Sequence, residues 1–271
     1  MSFTTAIKST LEGPDVAFGF WLTLPSAGVA KTVLHGASGS STKFSWVLVD
    51  AEHGLISDHH YYELNNAIGS EGASPIIRVP FAEDWMIKRA LDAGAHGIMT
   101  PMCHSEEDAA KIVKYAKYPP LGTRGYGPMF APHSVPGLNP GPEHDNGAND
   151  AITVAVQIES RSGVENVEKI AAVPGIDVLF IGPFDLAKQM GVTRCGEEHE
   201  SAIQRILTAA HASGKKAAIF CTDGNDARAR AQQGFDMISV NTDVGVFRTG
   251  MLNELKTANG ENVSGGARDG Y

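Results

Sequence analysis

Residues 153–190, TVAVQIESRSGVENVEKIAAVPGIDVLFIGPFDLAKQM, decide the fold. They open on a β-rich run, Thr153 to Glu159, and a second run follows at Asp177–Gly182. Nearly continuous apolar runs, in place of strict alternation, mark parallel strands covered on both faces. Between them Val167, Ile170 and Ala171 recur at helical spacing behind Ser162-Gly163-Val164-Glu165, which reads as a capping box. Strand, helix and strand make one βα unit.

The same rhythm extends outward in both directions. Strands are predicted at 17–23, 46–51, 74–79 and 97–102 on one side and at 216–221 and 235–240 on the other. Ser105, with Asp108 three residues on, caps a helix carrying Ala109, Ile112, Val113 and Ala116. Ile203, Ile206, Leu207 and Ala210 form a second apolar stripe, and Val244, Phe247, Met251 and Leu255 a last one. Eight strands and eight helices in strict alternation predict an α/β protein, a TIM (β/α)8 barrel. The expected organisation is one domain over 1–256 and a flexible polar tail over 257–271. An open doubly wound sheet is disfavoured, because the first strand is not followed by Gly-x-Gly-x-x-Gly. Residues 119–150 break the pattern with seven of the fourteen prolines and six glycines. They read as a long connection without secondary structure of its own, serving as a lid, binding loop or subunit contact.

Composition narrows the function. Twenty-two Lys and Arg against 31 Asp and Glu leave a net charge of −9, without the basic footprint that nucleic acid or an anionic membrane surface requires. No run approaches the length of a membrane span, and Val16–Leu24 lacks the basic flank of a signal peptide. Cys103, Cys195 and Cys221 stand apart and odd in number, which predicts a reducing, cytoplasmic setting.

In such a barrel the chemistry gathers at the strand C-termini. Those positions hold Asp50-Ala51-Glu52-His53, Arg78, Gln157-Ile158-Glu159 and Gly182-Pro183-Phe184-Asp185. Glu159 and Asp185, on neighbouring strands, would repel in one cavity unless a divalent cation joined them; each alone could equally be a solvated rim acid or a helix cap. Of the ten histidines most fall on helices or loops, whereas His53 follows a strand end with two acids nearby that could orient an imidazole, Asp50 and Glu52. Arg78 could be a structural ion-pair partner or could steady an oxyanion. No strand-end lysine offers imine chemistry, and no nucleophile elbow is present.

Val49-Asp50-Ala51-Glu52-His53, Arg78-Val79-Pro80, Tyr118-Pro119-Pro120-Leu121-Gly122-Thr123-Arg124-Gly125, Gln157-Ile158-Glu159 and Phe180-Ile181-Gly182-Pro183-Phe184-Asp185-Leu186 resemble, in order and spacing, the HpcH/HpaI family of class II pyruvate aldolases. That family includes 4-hydroxy-2-oxoheptanedioate aldolase, and a finer likeness runs to its macrophomate-synthase-like members. The resemblance covers roughly residues 17–243. It implies a carbon–carbon lyase that cleaves or forms 4-hydroxy-2-oxo acids through a metal-stabilised pyruvate enolate. An alternative use of the same enolate is oxaloacetate decarboxylation. By resemblance Glu159 and Asp185 ligate Mg2+, with Mn2+ or Co2+ as alternatives. Gln157, Gly182, Pro183, Phe184 and Arg78 surround pyruvate or oxaloacetate, and an aldehyde or other acceptor is the second reactant. His53 acts as acid/base assisted by Asp50, and Asp92 raises its basicity from the same or a neighbouring subunit. The resemblance further implies a homohexamer with exchanged C-terminal helices. Two stretches depart from the family pattern: the 128–150 segment looks longer, and Asn241-Thr242-Asp243 replaces a glycine-containing strand end.

Overall fold

The structure, a computed structural model, describes residues 3–38 and 43–261. Its strands are β1 (Ala17–Leu22), β2 (Trp46–Asp50), β3 (Ser74–Arg78), β4 (Gly97–Thr100), β5 (Thr153–Gln157), β6 (Val178–Ile181), β7 (Lys216–Phe220) and β8 (Met237–Thr242). They pair in parallel and in sequence order, and β8 returns to β1 to close the barrel. Each falls within two residues of its expected bounds.

The helices are α1 (Ala6–Glu12), α2 (Ala27–Ala37), α3 (Tyr61–Ser70), α4 (Asp84–Asp92), α5 (Glu106–Ala116) and α6 (Pro142–Ala151), followed by α7 (Arg161–Glu165), α8 (Val167–Ala172), α9 (Pro183–Met190), α10 (Glu197–Ala212), α11 (Gly224–Gln232) and α12 (Asp243–Ala258). Alternation is therefore not one for one: α1 precedes the barrel, and the connections after β4, β5 and β6 each carry two helices. Two expectations need correction. The capping box at Ser162–Glu165 is not formed, because Ser160 caps α7 through its side chain and the Gly163 amide, leaving Ser162 inside that helix. The 119–150 connection is not without structure, since it contains a 3-10 turn, Ala131–Ser134, and then α6, which has Pro142 at its first position. α12 also runs past Thr257 to Ala258; the expected tail otherwise lies largely at 262–271, outside the described residues.

Alternation along each strand sorts side chains into two layers. Trp46, Leu48, Ile76, Met99, Phe180 and Met237 fill the barrel interior, plugged at one end by Ile7 and Leu11 of α1. Val47, Val49, Ile77, Ile98, Val154 and Leu179 face outward onto helix residues such as Ile112 and Ile203. Both faces are buried, so the strands read as unbroken apolar runs. Gly19 is required by this filling: a Cβ there would lie 2.3 Å from the Trp46 indole.

Two polar ties fix the ends of the fold. The buried Asp243 carboxylate accepts the Thr23 amide (3.0 Å), the Thr23 hydroxyl (2.7 Å) and the Leu24 amide (2.9 Å), joining the end of β1 to the end of β8. Ahead of β4, buried His96 sits between Ser74 Oγ on β3 (3.1 Å) and Ser134 Oγ in the 3-10 turn (3.2 Å). The Ser134 hydroxyl donates to the Gly94 carbonyl, so it accepts the proton on His96 Nε2 and leaves Nδ1 as the acceptor. Burial pulls the pKa of His96 down to about 4. Among the described residues no helix is long and apolar enough to cross a membrane.

Candidate active site

The strand order makes Arg78 the centre of the barrel mouth. β2 and β3 pair with Asp50 directly opposite Arg78. Arg78 Nε donates to Asp50 Oδ1 (2.9 Å) and Nη2 to Oδ2 (2.7 Å), a bidentate clamp. Nη1 lies 2.9 Å from Glu52 Oε2 and 3.4 Å from Gln157 Oε1. The guanidinium rests over the Trp21 indole at 4.8 Å, and Trp21 Nε1 donates to Asp50 Oδ2 (2.9 Å). Burial alone would raise the Asp50 pKa, but the Arg78 bonds and charge, with the Trp21 bond, outweigh it and hold the carboxyl below its ordinary value. Glu52 moves the other way: burial raises its pKa against the pull of Arg78 and His53.

Asp50 does not orient the His53 ring, as its sequence neighbourhood had indicated. Its Oδ1 instead accepts the backbone amides of Glu52 (3.1 Å) and His53 (3.2 Å). The His53 imidazole is 65% exposed, with Nε2 3.8 Å from Glu52 Oε1, and it stands at the pocket rim. Asp92 is not part of this pocket within one chain; it pairs with Arg124 at 2.6 Å, and Arg124 stacks on Tyr118.

Opposite Arg78, Glu159 is buried past the end of β5. Met102, in a left-handed conformation (φ 54°) after β4, turns its amide onto Glu159 Oε1 at 2.9 Å, and Gln157 Nε2 donates to Oε2 at 2.9 Å. A Cβ on Gly182 would lie 2.2 Å from Oε2, so that carboxylate needs the glycine. Burial, with the neighbouring charge of Asp185, pushes the pKa of Glu159 up to about 7 against the Met102 bond. Asp185, in the first turn of α9, is exposed at the pocket and accepts no hydrogen bond from the described residues. The charge of Asp185 is felt at buried Glu159, and two carboxylates so placed are oxygen donors of the kind that a divalent cation binds. No group of three or more His, Cys, Asp or Glu among the described residues could hold a metal.

The pocket encloses about 180 Å3 and is lined by Trp21, Arg78, Gln157, Gly182, Phe184 and Asp185 on its polar and aromatic floor. Thr23, Phe220 and Thr242 close the side nearer β1, β7 and β8. Trp21, Met102 and Phe220 were not singled out from the sequence, and Glu52 was read only as a neighbour of His53, not as a partner of Arg78. Trp21 and Phe220 had a signal in the two-residue alternation of their strands; the backbone amide of Met102 had none.

A parallel barrel with acids, an arginine and a histidine converging at its C-terminal mouth is an enzyme site. The HpcH/HpaI aldolase/citrate lyase family model matches residues 18–249. Hydroxypyruvate/pyruvate aldolase of Paraburkholderia phytofirmans is 36% identical over 90% of this chain and 93% of its own length. 5-Keto-4-deoxy-D-glucarate aldolase of Citrobacter koseri is 33% identical over 91% and 93%. Among solved structures, an HpcH/HpaI aldolase/citrate lyase family protein from Burkholderia cenocepacia J2315 superposes with a TM-score of 0.83 at 31% identity, covering 93% of this chain and 98% of that one. Macrophomate synthase superposes at 0.80 and 26%, covering 94% and 89%. The chain belongs to the HpcH/HpaI aldolase/citrate lyase family, and it is a lyase of the aldolase type.

Proposed function

We propose that this chain is a divalent-metal-dependent aldolase that cleaves 4-hydroxy-2-oxo acids to pyruvate and an aldehyde, and runs the reverse addition. The observation that carries the reading is the Glu159–Asp185 pair beside a clamped Arg78. Glu159 and Asp185 would hold the ion, Mg2+ first and Mn2+ or Co2+ as alternatives; when bound it supplies a Lewis acid for the keto oxygen of the 2-oxo acid.

The chain's own groups supply the rest. The first turn of α9 has no side-chain cap, so the Phe184 and Asp185 amides are free to receive a substrate carboxylate above Gly182 and Pro183. Gln157 orients the adjacent oxygen. His53 Nε2 takes the proton from the C4 hydroxyl as the C3–C4 bond breaks; the bonding pair passes to the pyruvate enolate, and the aldehyde leaves. Arg78, immobilised by Asp50, Glu52 and Trp21, presents fixed positive charge to the enolate oxygen without reorganising. Asp92 would serve His53 only from a second copy, because its own chain places it on Arg124.

Pyruvate release from a 4-hydroxy-2-oxo acid should stop on chelation, return with Mg2+, and fall to background in Glu159→Gln. Release that survives both treatments would overturn the proposal. Similarity to macrophomate synthase supports a second reading, oxaloacetate decarboxylation through the same enolate. Oxaloacetate alone separates the two, since rapid CO2 release with no aldol cleavage favours the second.

The assembly follows from α12. Val244, Phe247, Met251 and Leu255 form the expected apolar stripe, yet all are exposed. A groove of about 280 Å3 lined by Phe18, Phe44, Ala227, Ala231 and Val240 lies open over β1 and β8, where an eighth barrel helix would pack. Its lining is apolar apart from Lys43 and Arg228, and the stripe of its own α12 does not enter it; α12 of a second copy is the occupant we assign, in a homo-oligomer.

A further inference from the structure

We infer that His104 is the positioning residue for Glu159: its imidazole clasps the loop after β4 onto α7 and so keeps the Met102 amide on the carboxylate. This deepens the metal-dependent reading above and rests on it. The need for a clasp comes from Met102. Its amide donates to Glu159 Oε1 at 2.9 Å with the residue held at φ 54°, in the left-handed region that an L side chain enters only at a cost. A loop free to relax would leave that region and carry the amide away. The other carboxylate oxygen has no such dependence, because Gln157, two residues along the same chain segment, donates to Oε2. One oxygen of the carboxylate is therefore set by its own strand, and the other by a neighbouring loop.

Three fastenings hold that loop to the segment after β5. The Cys103 amide donates to the Gln157 carbonyl at 3.0 Å. Asn166 Nδ2 donates to the His104 carbonyl at 2.9 Å. The His104 ring supplies the third, with Nδ1 2.7 Å from Ser160 Oγ and 3.1 Å from Ser162 Oγ. Ser160 is the N-cap of α7 and Asn166 its C-cap, so the loop is gripped at both ends of one short helix. Gly163 lets it lie that close, since a Cβ there would come within 2.8 Å of the Cys103 carbonyl oxygen. Of the three, the imidazole makes the one bond in which a side chain of the loop itself crosses the gap, and it lands on the residue next to Glu159. His104 neither lines the reaction pocket nor bonds to Glu159, so it acts through Met102 and takes no part in the chemistry.

The test is hydrogen exchange at the Met102 amide, read by fragmentation mass spectrometry, beside Mn2+ titration followed by the spin-resonance signal of the free ion. In His104→Ala the Met102 amide should exchange about five- to thirtyfold faster, the population that a left-handed side chain gives up on release. Amides of β4 and β5 should keep the wild-type rates, and the Kd for Mn2+ should rise by a similar factor. His104→Asn, whose side-chain amide can donate or accept where Nδ1 stood, should restore both. Glycine carries no penalty at positive φ, so His104→Ala should cost less Mn2+ affinity in a Met102→Gly background than in the wild type. Unchanged Met102 exchange in His104→Ala overturns the assignment. So does faster exchange with Mn2+ affinity intact, a loss that His104→Asn repeats in full, or an equal loss in both backgrounds. A wild type that binds no Mn2+, or binds it as well after Glu159→Gln, would sink the metal reading alone; the exchange rate would still decide whether His104 holds the amide.

Discussion

Arg78 takes its role from the company it keeps. A guanidinium buried with two carboxylates and an indole cannot swing away when substrate arrives, and that rigidity is what oxyanion stabilisation requires. Lysine would retain the charge but lose the fork that Asp50 grips at two points. Arg78→Lys should therefore lower kcat about a hundredfold or more, the scale of losing one preorganised donor, while leaving Mg2+ affinity near that of the parent. Steady-state kinetics beside metal titration decide this, and equal loss of both would make Arg78 a structural residue. The limit of sequence reasoning shows at the same residue. Asp50 and His53 are neighbours along the chain, so the acid seemed to belong to the histidine; register across β2 and β3 gives it to an arginine 28 positions away. Glu159 and Asp185 were legible because both sit where strands β5 and β6 end. Glu52 was read beside His53, and its pairing with Arg78 was missed because its side chain reaches back to the arginine from a turn.

Among the elements, strands were easier to read than helices. Two buried faces leave a strand little choice but an apolar run, whereas α6 (PEHDNGANDA) carries no apolar period and is seated through His144, Gly147 and Ala148. α7 and α8 were merged because Ser160, not Ser162, supplies the cap. The segment before β4 carries a sharper consequence. His96 is neutral in the folded chain with a pKa near 4, against 6.5 when unfolded. Between those values the unfolded chain binds the additional proton, so stability is lost as pH falls from 6.5 towards 4, by at most about 3 kcal/mol from this group. His96→Gln should flatten the difference between urea denaturation curves at pH 7 and pH 5. A variant with the parent's acid slope would show that other groups carry it.

At the scale of the whole molecule, the barrel and its mouth were legible, but the surface was legible only as a stripe. The spacing of Val244, Phe247, Met251 and Leu255 predicts a helix with an apolar face without saying what it meets. In the structure that face points away from its own barrel. Met251→Glu should reduce the mass measured by light scattering to a smaller species, and an unchanged mass would remove α12 from the interface. Closure of the barrel has a consequence for biosynthesis. The acid that fastens the first stave to the last is residue 243 of 271. A nascent chain thus carries two raw sheet edges, each open to any other unfinished copy, until residue 243 has left the ribosome. Chains released before that point would be the ones that quality control has to clear.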